Sequence, residues 1–206
     1  MQPISLKPDR QASLRGAWET LEALVDEGKI RHIGVSNYNQ AELEALLSYA
    51  RVKPVVNQVE LHPRLPQTAL VDFCQARGVG VTAYAPLGRA RSRLLEEPAV
   101  AQLAQAHGVS PAAVLLRWNV QRGVSVIPKS VTPSRIAANC HEPLSFALAA
   151  DELAQLDALA VRPARCCDPP WSTFENRSYT SWAAGWALGA IGTVVFSVIG
   201  INVTNM

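Results

Sequence analysis

The chain has 206 residues, a length that favours one domain or one domain with an appendage. Nineteen Lys and Arg residues against seventeen Asp and Glu residues leave a net charge of +2, and no basic run is interleaved with aromatic residues, which argues against a nucleic-acid surface. Twelve glycines, four cysteines and 49% hydrophobic residues exclude collagen-like, disulfide-scaffold and disordered proteins. Residues 178–206 carry no charge, so the composition divides the chain into a charged body and an uncharged tail.

The cysteines and the N-terminal residues indicate a reducing compartment. The cysteines form no CxxC pair and have no histidines at zinc-ligand spacing, so no metal site is predicted for Cys74, Cys140, Cys166 and Cys167. A disulfide between the neighbours Cys166 and Cys167 would be strained, so we expect reduced thiols at the surface. Residues 1–11 lack a basic segment followed by an apolar stretch, which argues against a signal peptide and favours a cytoplasmic body.

The first predicted elements are a helix, a strand and a second helix. Apolar residues at helical spacing begin at Leu14, and Gly28 is placed to end this helix. Residues 30–35 are short and β-branched, which is typical of a strand. Asn39, with Glu42 three residues later, predicts a capping box at the start of the next helix.

The alternation of strands and helices continues through the rest of the body. Further strands are predicted at residues 55–61, 79–85 and 124–128. Further helices are predicted at residues 67–78, from Pro98, from Pro111, from Pro133 and at residues 150–160. Ser110 and Thr132 each precede a proline, and we expect them to cap the helices that those prolines open.

Strands separated by helices predict parallel pairing through right-handed crossovers, and therefore an α/β fold. Periodicity leaves a barrel and an open doubly wound sheet as alternatives, but no GxGxxG motif follows the first strand, which disfavours the Rossmann arrangement. Polar residues cluster towards the ends of the strands, at Ser36, Asn37, Gln58, Tyr84, Lys129 and Ser130. We therefore expect the functional site at the C-terminal ends of the strands, as in a (β/α) barrel.

Four segments carry a resemblance to a known family. GKIRHIGVSNY, PVVNQVELHP, AYAPLG and VIPKSVTPSRIAANC, in this order, resemble the second half of the aldo-keto reductases, NADPH-dependent (β/α)8-barrel enzymes that reduce carbonyls. The resemblance covers roughly residues 14–159. It implies a partial TIM barrel, approximately strands 5 to 8 with their helices, over residues 1–161.

The resemblance implies how the nicotinamide end of NADPH is bound. Ser36, Asn37 and Gln58 match residues that hydrogen-bond the carboxamide and so choose the ring face that donates hydride. Tyr84 matches the aromatic residue that stacks on the nicotinamide ring. Leu87, in the segment that resembles the pyrophosphate-facing loop, matches a residue over the cofactor.

The same resemblance implies a site for the 2′-phosphate and the adenine. Lys129, Ser130 and Arg135 match the residues that bind the 2′-phosphate, and together they offer positive charge, a hydroxyl and a planar fork. Asn139 matches the residue that meets the adenine amine. These four positions favour NADPH over NADH.

The catalytic groups of the family cannot be assigned in this sequence. In the family an Asp, a Tyr, a Lys and a His on the first four barrel strands form the catalytic tetrad, so no catalytic residue is named and we expect no catalysis by this chain alone. For His62 and Tyr38 a packing role is favoured over a substitute catalytic role. Four strands also predict two open sheet edges, and hence a complementary half-barrel or self-association.

The uncharged tail predicts a membrane anchor. Residues 182–203 are apolar enough and long enough for a C-terminal transmembrane helix, preceded by aromatic and basic residues in a linker over residues 162–181. A buried hydrophobic tail and an end produced by a gene-model or splicing error are the alternatives. Two functions therefore stay open: a fragment of an NADPH-dependent reductase, and a non-catalytic NADPH-binding or scaffold module at a membrane.

Overall fold

Strands alternate with helices along the chain in the computed structural model, which describes residues 8–161, 165–167 and 193–194. The α-helices in this part are α1 (Pro8–Asp26), α2 (Gln40–Tyr49), α3 (Thr68–Gln75), α4 (Arg89–Ser92), α5 (Pro98–His107), α6 (Pro111–Gln121), α7 (Pro133–His141) and α8 (Ala150–Asp157). The strands are β1 (Gly34–Ser36), β2 (Val56–Glu60), β3 (Gly80–Tyr84), β4 (Ser125–Ile127) and β5 (Thr193–Val194). Short 3-10 helices lie at Leu94–Glu96, Glu142–Leu144 and Ala158–Val161.

The strands form a sheet in the order β4-β3-β2-β1-β5. β3 and β4 are parallel, and Tyr84 lies opposite Ile127 at their C-terminal ends. This pairing and the alternation of elements confirm the predicted α/β class. Among the described residues β4 pairs only with β3, so it leaves an edge.

The sequence also predicted an open edge at the first strand, residues 30–35, and this prediction was wrong. β1 pairs antiparallel with β5, with Gly34 opposite Val194 and Val35 opposite Thr193. This pairing satisfies backbone groups of β1 that would otherwise face solvent. It also places a strand where the sequence predicted the middle of a hydrophobic helix.

Two element boundaries differ from the prediction for local reasons. The first strand begins at Gly34 rather than at residue 30, because the Ile30 backbone N–H donates to Leu24 O (3.2 Å) and so belongs to the exit from α1. α3 ends at Gln75, and Gly78 then adopts the left-handed backbone at φ +71°. Propensity places elements more reliably than it places their ends.

Two of the three predicted N-terminal helix caps form in the structure. The Asn39 side chain accepts from the Glu42 backbone N–H (2.9 Å), and the Glu42 carboxylate accepts from the Asn39 N–H (2.9 Å), which confirms the capping box. Ser110 Oγ accepts from the Ala113 N–H (3.2 Å), as predicted. Thr132 precedes α7, but its side chain makes no capping bond, so this part of the prediction was wrong. Its own backbone N–H instead donates to Ser130 Oγ (3.2 Å).

The described residues divide into two compact units, residues 8–57 with 76–79 and 193–194, and residues 58–75 with 80–161 and 165–167. In the first unit Trp18 is buried and its indole N–H donates to Val52 O (3.2 Å). Asn57 is also buried, and its amide exchanges two hydrogen bonds with the Tyr38 backbone (2.9 and 3.4 Å). The Asn57 amide therefore replaces a backbone partner and fixes the turn that follows β1.

The core of the second unit is built around α6. Trp118 is fully buried, and its indole N–H donates to Asp157 Oδ1 (2.8 Å) on α8. His107 on α5 contacts both carboxylate oxygens of Glu152 (2.8 and 3.0 Å). These two polar links join three helices whose apolar faces are packed together.

The predicted tail lies almost wholly outside the described residues. Of the predicted transmembrane helix at residues 182–203 only Thr193 and Val194 are described, and they form β5. Of the predicted linker at residues 162–181 only residues 165–167 are described. In the described part, no single helix has the length and apolar character needed to cross a membrane.

We predict that Asn57→Ala lowers the free energy of unfolding by about 2 to 4 kcal/mol, because the Tyr38 N–H and C=O lose their buried partner. Urea unfolding followed by tryptophan fluorescence measures the change. Gln105→Ala, at an exposed position on α5, is the control and should change stability by less than about 0.5 kcal/mol. Equal, small changes in both variants would contradict the role given to Asn57.

Candidate functional site

A cavity of about 870 Å³ lies in the second unit. Its volume is in the range of small-molecule pockets. The C-terminal ends of β3 and β4 and the residues that follow them form one side, and α4, the 3-10 helix at Leu94–Glu96, the start of α6, α7 and Cys167 contribute the other residues. The lining consists of Tyr84, Ala85, Pro86, Leu87, Arg89, Leu95, Ser110, Pro111, Ala112, Ile127, Pro128, Lys129, Ser130, Arg135, Ala138, Asn139 and Cys167. Six of the nine predicted site residues are therefore brought to one cavity.

A tight turn after β3 shapes one wall of this cavity. Ala85 has a positive φ of 48°, and its C=O accepts from the Gly88 N–H (2.9 Å). Gly88 is at φ +73°, and a Cβ on it would press against Ser92 Oγ and lie 3.1 Å from Leu94. Glycine is thus required here both for backbone conformation and for space. The turn holds Leu87, which is half-buried, against the cavity.

The charged residues of the lining have one sign. Arg89, Lys129 and Arg135 contribute positive charge, and the lining contains no Asp or Glu among the described residues. Within the part of the chain that the structure describes, none of these three cations forms an ion pair. An anionic ligand would supply the missing counter-charge.

Polar groups at β4 and α7 complement the positive charge. Ser130 follows β4, and its oxygen already accepts from the Thr132 N–H, so it retains its own hydroxyl proton to donate. Pro133 opens α7, whose N-terminal end carries the positive end of the helix dipole. Asn139, one turn beyond Arg135, is half-buried at the cavity. This arrangement suits a phosphate next to a heterocycle that can pair with an amide.

The other three predicted residues are placed elsewhere. Gln58 lies half-buried in β2 and is not part of the cavity lining. Ser36 ends β1 in the first unit, and its Oγ accepts from Asn37 Nδ2 (3.2 Å). Asn37 has a positive φ of 61°, a conformation that asparagine tolerates better than most residues.

Sequence reasoning missed a cluster of buried polar side chains formed by Glu60, His62 and Cys166. His62 Nε2 contacts Glu60 Oε1 (3.2 Å) and Cys166 Sγ (3.5 Å). The backbone N–H groups of Cys166 and Cys167 donate to Oε1 (2.5 Å) and Oε2 (3.3 Å) of Glu60. The only signal in the sequence was an acidic residue inside an otherwise apolar strand end, VELHP.

This cluster corrects the expectation of surface thiols. No disulfide joins the four cysteines, but Cys167 and Cys74 are buried and Cys166 is half-buried, whereas Cys140 is exposed. The expectation rested on spacing along the chain, and the contact between Cys166 and His62 joins residues 104 positions apart. His62 is buried, in agreement with the packing role expected for it.

The contacts within this cluster shift the pKa values of the Glu60 carboxyl and of the neighbouring thiols. Burial raises the pKa of the Glu60 carboxyl, but hydrogen bonds from His62 and Cys166 outweigh burial and hold this pKa below its ordinary value. The hydrogen bond to Cys167, burial and the nearby Glu60 carboxylate raise the pKa of the Cys166 thiol. The hydrogen bond from Cys166 lowers the pKa of the Cys167 thiol, which lines the cavity.

We predict that Gly88→Ala destabilises the protein more than Gly78→Ala does, by at least about 1 kcal/mol. Both glycines have a φ near +70°, so both variants share the strain of a left-handed alanine, which is about 1 to 2 kcal/mol. A Cβ at Gly78 meets nothing within 4 Å, whereas one at Gly88 meets Ser92 and Leu94. Thermal and urea unfolding of both variants measure the difference. Equal destabilisation would show that the turn is not sterically closed.

Comparison with known proteins agrees with this architecture. The model of the aldo/keto reductase family matches residues 7–161. Aldo-keto reductase family 1 member A1 of Cricetulus griseus is 50% identical over 150 residues, which are 69% of this chain and 46% of that relative. The Bos taurus protein of the same name is 51% identical over 150 residues, with the same two coverages of 69% and 46%.

A comparison with solved structures also finds similarity to this family. Aldose reductase from Giardia lamblia matches with a TM-score of 0.69 and 43% identity, over 74% of this chain and 52% of that chain. The chain therefore spans about half the length of the relatives that it matches. Its α/β sheet is consistent with part of an aldo-keto reductase barrel. The chain belongs to the aldo/keto reductase family.

Proposed function

We propose that this chain carries the NADPH-binding half of an aldo-keto reductase-type oxidoreductase that acts on carbonyl substrates. The observation that carries the proposal is the cavity at the ends of β3 and β4, with three cations and no acidic residue in its lining. A dinucleotide with an additional 2′-phosphate has the negative charge that this lining would neutralise. Family membership supports an oxidoreductase, and the charge of the cavity supports the phosphorylated cofactor.

The 2′-phosphate would bind between β4 and α7. Lys129 provides a point charge, Ser130 a hydroxyl proton and Arg135 two parallel N–H donors. The end of the α7 dipole adds to the attraction. Asn139 would then meet the adenine, because it follows Arg135 by one helical turn.

The nicotinamide end would lie towards β3. Tyr84 presents an aromatic ring on which the nicotinamide can stack, and Leu87 covers the cofactor from the turn. Gln58, in the same unit, would hold the carboxamide, since its side chain offers both a donor and an acceptor. Fixing the carboxamide fixes which face of the ring gives up hydride.

Reduction of a carbonyl also needs a proton for the oxyanion that hydride transfer creates. Tyr84 is committed to stacking in this proposal, and the polar residues Lys129, Ser130, Arg135 and Asn139 hold the phosphate and adenine end. We therefore propose that the proton donor comes from a complementary half-barrel and that these 206 residues alone do not reduce carbonyls.

The edge at β4 supports a partner of that kind. Among the described residues β4 pairs only with β3, and Ile127 at its end is 48% exposed. Val131, which follows β4 in the chain, is 78% exposed, and Leu144, which lines a second cavity with Val126 of β4, is 67% exposed. An exposed strand edge with apolar side chains around it favours either a complementary half-barrel or a second copy of the chain.

We predict that Arg135→Ala weakens NADPH binding about tenfold or more and leaves NADH binding almost unchanged. A charge-assisted hydrogen bond contributes about 1.5 to 3 kcal/mol, and NADH lacks the phosphate that would accept it. Titration of the full chain, followed by the fluorescence of the reduced nicotinamide, measures both dissociation constants.

Arg93→Ala is the matched control, since Arg93 is exposed, paired with Glu96 and outside the cavity lining. It should bind both cofactors like the unmodified chain. Equal weakening of NADPH and NADH by Arg135→Ala would contradict the phosphate site. Failure of the unmodified chain to bind NADPH would overturn the proposed function itself.

A further inference from the structure

We propose that Glu60, His62 and Cys166 form a binding site for a divalent transition-metal ion, and that zinc fits it best. One ligand atom from each residue, a carboxylate oxygen, an imidazole nitrogen and a thiol sulfur, lies within 4.8 Å of the other two. The site is separate from the cofactor function proposed above, which does not use these three side chains.

The distances between the ligand atoms fit tetrahedral zinc. Zn–N and Zn–O bonds of about 2.0 Å with a Zn–S bond of about 2.3 Å separate N from O by about 3.3 Å and N from S by about 3.5 Å. The corresponding distances are 3.2 Å, from His62 Nε2 to Glu60 Oε1, and 3.5 Å, from His62 Nε2 to Cys166 Sγ. These two distances already match, and the third pair, a Glu60 carboxylate oxygen and Cys166 Sγ, lies within 4.8 Å.

The backbone holds two of the ligands in place. Glu60 ends β2 and His62 follows two residues later, so the alternation of an extended chain points both side chains the same way. Leu65 fixes the backbone of His62 through a pair of hydrogen bonds (2.7 and 3.4 Å). The side chains of Glu60 and His62 are 0% and 1% exposed, so burial pre-organises these two ligands, whereas Cys166 is half-buried and reaches solvent.

The imidazole ring of His62 presents Nε2 to both of the other ligand residues. His62 Nδ1 is buried and has no hydrogen-bond partner in the described part of the chain. The ring is therefore held only through Nε2, the atom that faces the carboxylate and the thiol. A metal bond to Nε2 would leave Nδ1 as it is and would add a stronger anchor at the nitrogen that already makes both contacts.

The donor set selects the metal. A sulfur, a nitrogen and an oxygen suit zinc, whereas calcium and magnesium prefer oxygen ligands alone. On binding, the Cys166 thiol releases its proton to solvent as the metal–sulfur bond forms. The Glu60 carboxylate has enough lone pairs to bind the metal and still accept from the backbone N–H groups of Cys166 and Cys167. A fourth position stays open for water.

Cobalt(II) titration of the full chain under reducing conditions tests the site directly. Cobalt replaces zinc in tetrahedral sites and reports a thiolate ligand through a sulfur-to-metal charge-transfer band in the near ultraviolet. We expect this band to saturate at one cobalt per chain and to disappear when zinc is added in equal amount. Absence of the band in the reduced chain would overturn the proposal.

Two cysteine variants separate this site from adventitious binding. Cys166→Ser should remove the band and weaken zinc binding by more than about 100-fold, because it removes a direct ligand. Cys140→Ser, at an exposed cysteine outside the cluster, should retain both the band and the affinity. Glu60→Gln keeps the shape of the side chain and should weaken zinc binding while retaining the band. A band that survives in Cys166→Ser, or that is lost in Cys140→Ser, would contradict the assignment.

Discussion

The parallel pairing of β3 with β4 is the constraint on which the candidate cofactor site depends. It places Tyr84 opposite Ile127, so both strands end at the same level. The turn after β3 and the basic residues after β4 therefore open onto one cavity. A shift of the register by one residue would move every side chain of β4 to the other face of the sheet and would disperse the lining. The chemistry of the site thus follows from backbone hydrogen bonds between two short strands.

The cations of the cavity and the Glu60 carboxylate differ in their exposure to solvent and in their partners. The cations of the cavity are exposed and have no acidic partner among the described residues, which keeps their charge available to a ligand. The Glu60 carboxylate is fully buried, and its cost of desolvation is offset by His62 and by two backbone N–H groups. The first arrangement suits a ligand that enters from solvent. The second suits one that stays bound.

Local features were predictable from the sequence, because they depend on neighbouring residues. The capping box of Asn39 and Glu42 and the alternation of strands and helices are examples. The cavity residues could be named because they lie in motifs of a known family. The contact of Cys166 with His62 could not, since it joins residues 104 positions apart through the fold. The pairing of β1 with β5 was missed for a related reason: a two-residue strand leaves no periodic signal.

In the proposed function, an adenine nucleotide with a 2′-phosphate binds where β4 leads into α7. Amide hydrogen exchange of the full chain with adenosine 2′,5′-bisphosphate tests it most directly, with adenosine 5′-phosphate at the same concentration as the comparison. We expect the bisphosphate to slow exchange over residues 129–139 and the monophosphate to slow it much less. Equal protection by the two nucleotides, or protection confined to other segments, would contradict a 2′-phosphate site between β4 and α7.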